Sequence, residues 1–419
     1  MNIRDYVFIN QLVLKFVGLY PISIVRYVIC ISCIMLIIIP QITMIYTNWN
    51  DLNIVMEIGS TLLTISLAML KSAIWMFNRK NLELFIEFML TDYWKIIEAN
   101  VFEYLKKYAL YAKTITKGYL ISMCNALLFF FSLPIIEILI TKHEDSDNFT
   151  MNFPFAASYP VAFYKFPLYE IAYASQILAT SICCLVMLAT DGLIATALLH
   201  TCGHFAVLRK NVKQLDSYIY RVCIVFYYIY VYNCNVIYFK IIQLLQITRL
   251  KTNSKHINAN LYEIKIQIIH VIKHHQVVLC RFCDNMEKNF HLILFLQAMI
   301  SSLLICFVGF QVSATLMEQS KMIKFASHLI VAFFQLLLFC FPGDMLIQES
   351  FSISTAVYSI QWSQLATFIK DELCMIIVRS QRPSYITAGK LYIMHLENFT
   401  AVKVSSHIYL KKYVKFSLA

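Results

Sequence analysis

Residues 222–248, VCIVFYYIYVYNCNVIYFKIIQLLQIT, decide how many times this chain crosses a membrane. The run is long and apolar enough to span a hydrocarbon core about 30 Å thick, which takes ~20 helical residues. Its composition points the other way. Seven tyrosines lie between Tyr218 and Tyr238, and Asn233 and Asn235 sit in the middle. Tyrosine favours an interface or a partly wet packing surface over the hydrocarbon centre. Charge agrees: if this run were a crossing, the basic cluster from Lys265 to Lys288 would change sides along with every later loop. The run therefore reads as part of a large extramembrane segment, 200 to 290. An eighth crossing and an inserted segment are the alternatives.

Outward from it, seven other stretches qualify as spans: 27 to 47, 54 to 77, 118 to 140, 171 to 199, 291 to 312, 325 to 347 and 388 to 410. Their loops carry basic residues unequally. Of the 35 Lys and Arg residues, 25 fall on one side: Arg4, Lys15 and Arg26, then the groups Arg79 to Lys117, Arg209 to Lys288 and Lys370 to Arg382. The other side has only Lys142, Lys165, Lys321 and Lys324, with Lys411, Lys412 and Lys415 in the tail. Because basic loops stay cytoplasmic, the amino end is expected inside and the carboxyl end outside. Seven spans in that sense reverse the arrangement of a G-protein-coupled receptor. Composition agrees with a membrane protein: 59% of residues are hydrophobic and 14% charged, against roughly 45–50% and 25% in soluble domains. The expected class is an all-α, seven-transmembrane helical membrane protein. The net charge of +11 needs no nucleic acid, since anionic inner-leaflet lipid suits basic cytoplasmic loops. The first 25 residues lack the order of a cleaved signal, so insertion is expected to rely on the first span.

The one long outer loop, about 141 to 170, carries Asn148-Phe149-Thr150, a glycosylation acceptor pattern on the side that sugar transfer requires. None of the 13 cysteines falls in an outer loop, so no disulfide is expected there. At the end of the sixth span, Pro342-Gly343 predicts a break or bend. Beyond it, Leu365, Ile369, Leu373, Ile376 and Ile377 recur at helical spacing and predict an amphipathic helix ending near Arg379 to Pro383. Three regions follow: 1–347 with spans one to six and a ligand pocket, 348–387 with a cytoplasmic anchor helix, and 388–419 with the last span and tail. That last span contains His395, Glu397, Asn398, Lys403, Ser405 and Ser406. An ionisable group at the bilayer centre costs about 2.5–3.5 kcal/mol on insertion scales, so such groups face a bundle interior or a water-filled path. A polar stripe that only binds neighbouring helices is the plainer reading.

Phe341-Pro342-Gly343-Asp344-Met345-Leu346-Ile347-Gln348-Glu349-Ser350, then Ala356-Val357-Tyr358 and Trp362, then Arg379-Ser380-Gln381-Arg382-Pro383 and Thr387-Ala388-Gly389-Lys390, with Phe399 and Tyr409, resemble the carboxyl-terminal signature of the insect odorant receptors. Weaker echoes lie in Gly18-Leu19-Tyr20-Pro21, Tyr169-Glu170 with Gln176, and Cys202-Gly203-His204-Phe205. The Tyr-rich run has no counterpart. The resemblance implies a divergent ligand-tuning subunit that joins the olfactory co-receptor in a heterotetramer. That assembly is an odorant-gated, non-selective cation channel in the plasma membrane of sensory neurons, with no cofactor. It implies a pore lined by Glu397, Asn398, Val402, Ser405, Ser406 and Tyr409, and subunit contacts through Tyr358, Trp362, Leu365, Ile369, Leu373 and Ile376. The family ends its last span in an apolar run, where this chain has Leu410-Lys411-Lys412-Tyr413-Val414-Lys415-Phe416. Lysines gathered at a pore mouth would repel cations.

Volatile ligands are small and apolar and need few directed contacts, so aromatic, Met and sparse polar residues in outer helical halves are the candidates. They are Met56, Ser60, Phe130, Phe131, Tyr159, Phe163, Tyr173, Gln176, Phe325 and His328; ordinary helix packing is the simpler account of any one of them, and the group carries more weight than its members. His270, His274, His275, Cys280 and Cys283 invite a metal reading. A continuous helix would separate the two pairs too far, at ~1.5 Å per residue, so a solvated helix face is expected instead. No nucleophile with its base, phosphate loop or carboxylate pair stands out, so an enzyme is not indicated. A gustatory-type channel and a metabotropic seven-span receptor are the competing readings. The first lacks its last-span Thr-Tyr pattern, and the second lacks an acidic-Arg-aromatic triplet after span three.

Overall fold

The computed structural model describes residues 4–90, 102–143, 152–240, 266, 270–275, 282–315, 319–360, 362 and 367–400. The helices are α1 (Arg4–Val17), α2 (Ile24–Thr47), α3 (Leu52–Phe77), α4 (Arg79–Leu90), α5 (Phe102–His143), α6 (Leu168–Lys240), α7 (Asp284–Ala314), α8 (Gln319–Tyr358) and α9 (Thr367–Ser380). Six of them, α2, α3, α5, α6, α7 and α8, are long and apolar enough to cross a membrane. They contain the first six expected spans.

Residues 222–240 of the Tyr-rich run are the far part of α6, and 241–248 lie outside the described residues. This helix has 73 residues, a rod of about 110 Å at ~1.5 Å per residue. A single helix cannot turn back, so residues 222–240 continue along the direction in which α6 leaves the bundle and make no separate return crossing. Within the bundle α6 is the central helix. Its most apolar window is 89% buried, against 28% for α2 and 22% for α5, whose outer faces are left for lipid. Exposed Val25, Val28, Ile29, Leu36, Ile39 and Ile42 form such a face on α2.

Lipid tails are as apolar as a core, so helices in a bilayer are held by close packing and polar contacts more than by the hydrophobic effect. The contacts here fit that rule. Asn10 of α1 donates to Gly192 O (3.2 Å) and Thr196 Oγ1 (2.9 Å) on α6. At the centre, Lys71 of α3 and Asp191 of α6 form an ion pair of 2.5 Å with both side chains fully buried. Tyr119 of α5 donates to Asp191 Oδ2 (3.1 Å) and Gln335 of α8 donates to the same oxygen (2.8 Å). Lys71 also donates to Gln297 of α7, which donates in turn to Ser301 (2.6 Å). One charge pair thus ties five helices.

The end of the chain differs from the sequence reading in three places. First, α8 runs unbroken through Pro342, so no helix break occurs there, and the expected boundary at 347/348 lies inside the helix. Gly343 serves a different purpose: a Cβ at that position would collide with Met394 O, so its missing side chain lets the following segment pack on α8. Secondly, residues 388–394 are not helical. Strands β1 (Thr387–Ala388) and β2 (Tyr392–Ile393) pair antiparallel around a turn in which Gly389 and Lys390 both have φ of 63°. Thr387 N donates to Glu287 Oε2 (2.9 Å) and Gly389 N to His291 O (2.8 Å), which docks the hairpin on α7. Helix resumes only at 396–400. Hydropathy hid the hairpin because Ala388, Leu391, Tyr392 and Ile393 count as apolar whichever backbone they adopt. Thirdly, His274 and His275 are buried, not on a solvated face. They pack on α6, with His204 Nδ1 to His274 Nε2 at 3.4 Å and the Phe205 and His275 rings 6.4 Å apart.

Candidate functional site: a cavity inside the helical bundle

Five helices and one loop line a cavity of about 80 Å³, room for several water-sized groups, since one water needs about 10–15 Å³ on this scale. Thr61, Thr64 and Ile65 come from α3, and Met123, Ala126, Leu127 and Phe130 from α5. Helix α6 supplies Thr180, Cys183, Cys184 and Met187; α7 supplies Leu304; α8 supplies His328, Val331, Ala332 and Gln335. Phe155 reaches in from the segment between α5 and α6. The wall is mostly aliphatic, aromatic and sulfur-bearing. Gln335 carries it to the buried ion pair, because the same side chain lines the cavity and bonds to Asp191.

Phe155 is held from its backbone. Its N–H donates to Gln176 Oε1 (3.0 Å), and Gln176 Nε2 donates back to Phe155 O (3.2 Å) and to the Tyr159 hydroxyl (3.3 Å). So placed, the Phe155 ring stacks on Phe130 (4.9 Å between centroids) and meets Phe131 edge-on (6.4 Å). Phe130 in turn meets His328 edge-to-face at 5.8 Å. Beyond this aromatic wall lies a more polar recess lined by residues that include Glu57, Phe153 and Lys324. Lys324 pairs with Glu57 (3.2 Å) and lies 4.8 Å from the Phe130 centroid, so the ion pair stands between the two spaces.

Of the ten residues singled out from sequence, Phe130 and His328 line the cavity. Phe131, Gln176 and Tyr159 lie one contact behind it through Phe155 or Gln176. Ser60 accepts from the Thr64 hydroxyl (3.0 Å), and Tyr173 donates to Phe131 O (2.6 Å). Phe325 packs in a separate cluster with Leu304, Ile305, Val308 and Ala332. Phe163 meets Tyr159 at a tilt, 5.7 Å between centroids, and Met56 is half-buried near the start of α3; neither is among the lining residues. The sequence reading missed Thr64, Met123, Phe155, Met187 and Gln335. It also missed Lys71 and Asp191, though charges inside apolar spans are the signal that marks such positions.

In the carboxyl-terminal region, Leu373 and Ile376 are buried and Trp362 packs on the core, while Tyr358 is 75% exposed. Leu365 lies outside the described residues, as does the Ile369 side chain. Asn398 donates to Ile393 O (2.8 Å), tying the start of the last helix to the hairpin, and Glu397 is exposed. Val402, Ser405, Ser406, Tyr409, the tail lysines and Asn148 lie outside the described residues. Away from the spans, burial and the nearby His270 and His275 push the His274 imidazole down to about 4. Burial, with the Arg379 guanidinium behind it, does the same to His275.

The six long apolar helices and the cavity among them define a class: a multi-span helical membrane protein with an internal cavity. Residues 51–405 match the family model described as 7tm Odorant receptor, and the chain belongs to that family. Odorant receptor 13a of Drosophila melanogaster is 27% identical over 66% of this chain, a match that spans 60% of that receptor's own length. Odorant receptor Or2 of Anopheles gambiae is 20% identical over 88% of this chain and 86% of its own. The solved insect olfactory receptor OR5 from Machilis hrabei superposes with a TM-score of 0.75 at 11% identity, covering 98% of this chain and 97% of its own. The same receptor in complex with eugenol gives 0.74 at 12% identity, covering 98% of each chain. The family is one of multi-pass membrane receptors, not of enzymes.

Proposed function

We propose that this chain is the odorant-tuning subunit of a ligand-gated cation channel, and that its cavity holds a small apolar volatile molecule. One observation carries the reading. The wall is apolar over most of its extent, includes the Phe130–Phe155 stack, and contains Gln335, which is bonded to a charge pair that ties five helices. A ligand that alters this packing acts on the whole bundle. The known complex of the OR5 receptor with eugenol, a small molecule, supports a ligand of that size. Basic loop charge supports an inside amino end, which puts the cavity toward the outer face and α9 with the hairpin toward the cytoplasm. There α9 presents Met375 and Val378, 63% and 67% exposed, as the kind of face a second subunit covers. The partner in this reading is the olfactory co-receptor, in a heterotetramer of sensory-neuron plasma membrane, with the pore formed by residues from 397 onward.

The test is expression in cells with and without the co-receptor, challenged with a volatile panel. Ligand-evoked cation currents are expected only from the pair. Robust currents from this chain alone would contradict the tuning-subunit assignment.

A further inference from the structure

A groove opens where α6 and α8 run on beyond their expected spans. It has a volume of about 560 Å³ and is lined by residues that include Arg209 and Lys213 of α6 and Gln348, Ser352, Thr355 and Ser359 of α8. Arg209 and Lys213 are four residues apart, and Ser352, Thr355 and Ser359 are three and four apart, so each helix turns one face to the groove. No carboxylate is among the lining residues.

The donors here are held in place but only partly used. Tyr108 of α5 donates to Glu349 Oε1 (2.7 Å), while Arg209 Nη1 pairs with Glu349 Oε2 (3.0 Å) and donates to Ser352 Oγ (3.2 Å). Glu349 thus holds the guanidinium and offsets its charge, and the Lys213 charge is left over. A guanidinium has five N–H donors, and among the described residues only those on Nη1 have partners. Lys213 and Thr355 are exposed, and neither side chain has a hydrogen-bond or ion-pair partner among the described residues. A guanidinium fork, an unmatched ammonium and a free hydroxyl on the neighbouring helix are the donors that a phosphate group takes up.

We infer that this groove binds a phosphate-bearing anion, with Arg209 and Lys213 on its charged oxygens and the Thr355 hydroxyl donating to one of them. Such a group belongs to a phosphoinositide headgroup or to a soluble inositol phosphate. On the sidedness expected from loop charge, this end of the bundle is cytoplasmic, where anionic lipid is concentrated. The groove residues of α8 begin where the expected sixth span ends and cover about 17 Å along the helix. One end is therefore near headgroups and the rest is open to solvent. A guest held by both helices joins α6 to α8, which also line the inner cavity.

The test reads binding to the purified full-length receptor and so stands apart from the odorant reading. Inositol trisphosphate is titrated against the detergent-solubilised protein. In parallel, the melting temperature is compared in nanodiscs of phosphatidylcholine with and without phosphatidylinositol bisphosphate. Binding is expected to weaken about 10-fold in Lys213→Gln and in Arg209→Lys, which keeps a charge beside Glu349 but loses the fork. Thr355→Val is expected to weaken it about 3-fold. Lys213→Gln and Thr355→Val replace exposed side chains, so the fold is kept. Lys80→Gln, at an exposed basic position on α4, is expected to leave binding unchanged. Binding of the soluble probe in detergent identifies a free phosphate as sufficient, and stabilisation in nanodiscs alone identifies the lipid; with the groove variants weakened, either result supports the site. No binding of either probe, binding unmoved by Lys213→Gln, or an equal loss in Lys80→Gln overturns the inference.

Discussion

At the scale of single residues, the most consequential side chain is Lys71, a charge in the middle of an apolar span. It is fully buried beside Asp191, Gln297 and the Phe339 ring, whose centroid is 5.7 Å from Nζ. Removing one partner of a buried ion pair strands the other charge, which costs about 3–5 kcal/mol. Lys71→Met is therefore expected to lower the melting temperature of the purified receptor and its cell-surface level sharply. Asp191→Leu in the same chain is expected to recover much of the loss, since an apolar pair of similar volume avoids the stranded charge. Wild-type stability in Lys71→Met alone would show that the pair does not hold the bundle. Gly343 shows the opposite logic, a position defined by what is missing. Pro342-Gly343 reads as a break or bend; the helix does not break there, and the missing side chain of Gly343 makes room for Met394 O.

Among elements, the segment from 152 to 160 brings Phe155 to the cavity wall with almost no regular structure. Its position depends on Gln176, whose amide bonds both the N–H and the carbonyl of Phe155. Gln176→Leu would leave those buried groups unpaired, at about 1–3 kcal/mol. The Phe155 ring is then expected to leave the Phe130 stack and ligand potency to fall roughly 10-fold, read from dose–response curves at matched surface expression. An unchanged half-maximal concentration would mean that Phe155 is held by something else. The long helix α6 was partly legible: tyrosines and asparagines argue against a separate crossing, and residues 222–240, the part of that run within the described residues, continue α6. What composition could not say is that residues up to 240 prolong the fourth span, because helix continuity is a property of the backbone and not of residue type. The hairpin at 387–393 was not legible as such, though Gly389 held the clue, since a left-handed turn favours glycine.

For the whole molecule, pH dependence follows from the buried histidines outside the spans. His274 and His275 are held down to about 4 in the folded protein from an ordinary value of 6.5. An unfolded chain takes up these protons first as pH falls. The stability they contribute is therefore complete above about 6.5 and is lost progressively toward 4. Melting temperatures of the detergent-solubilised receptor are expected to drop across that interval, and His275→Phe is expected to flatten the drop. A variant with an unaltered pH profile would exclude His275 as a contributor. The same cluster couples the segment at 270–275 to α6 through His204 and Phe205, so acid is expected to loosen this end of the molecule before the cavity.

By itself the sequence determined the helical class, the six spans seen here, the family and a basic-charge pattern that predicts sidedness. These are local or additive properties: hydropathy accumulates along a helix, loop charge simply sums, and a motif is a string. Only the tertiary structure decided which side chains share the cavity and that Lys71 meets Asp191 where five helices converge. Those facts depend on how far each helix is rotated and shifted along its axis. Periodicity cannot supply that rotation, because a lipid-facing side chain and a core-facing one are equally apolar.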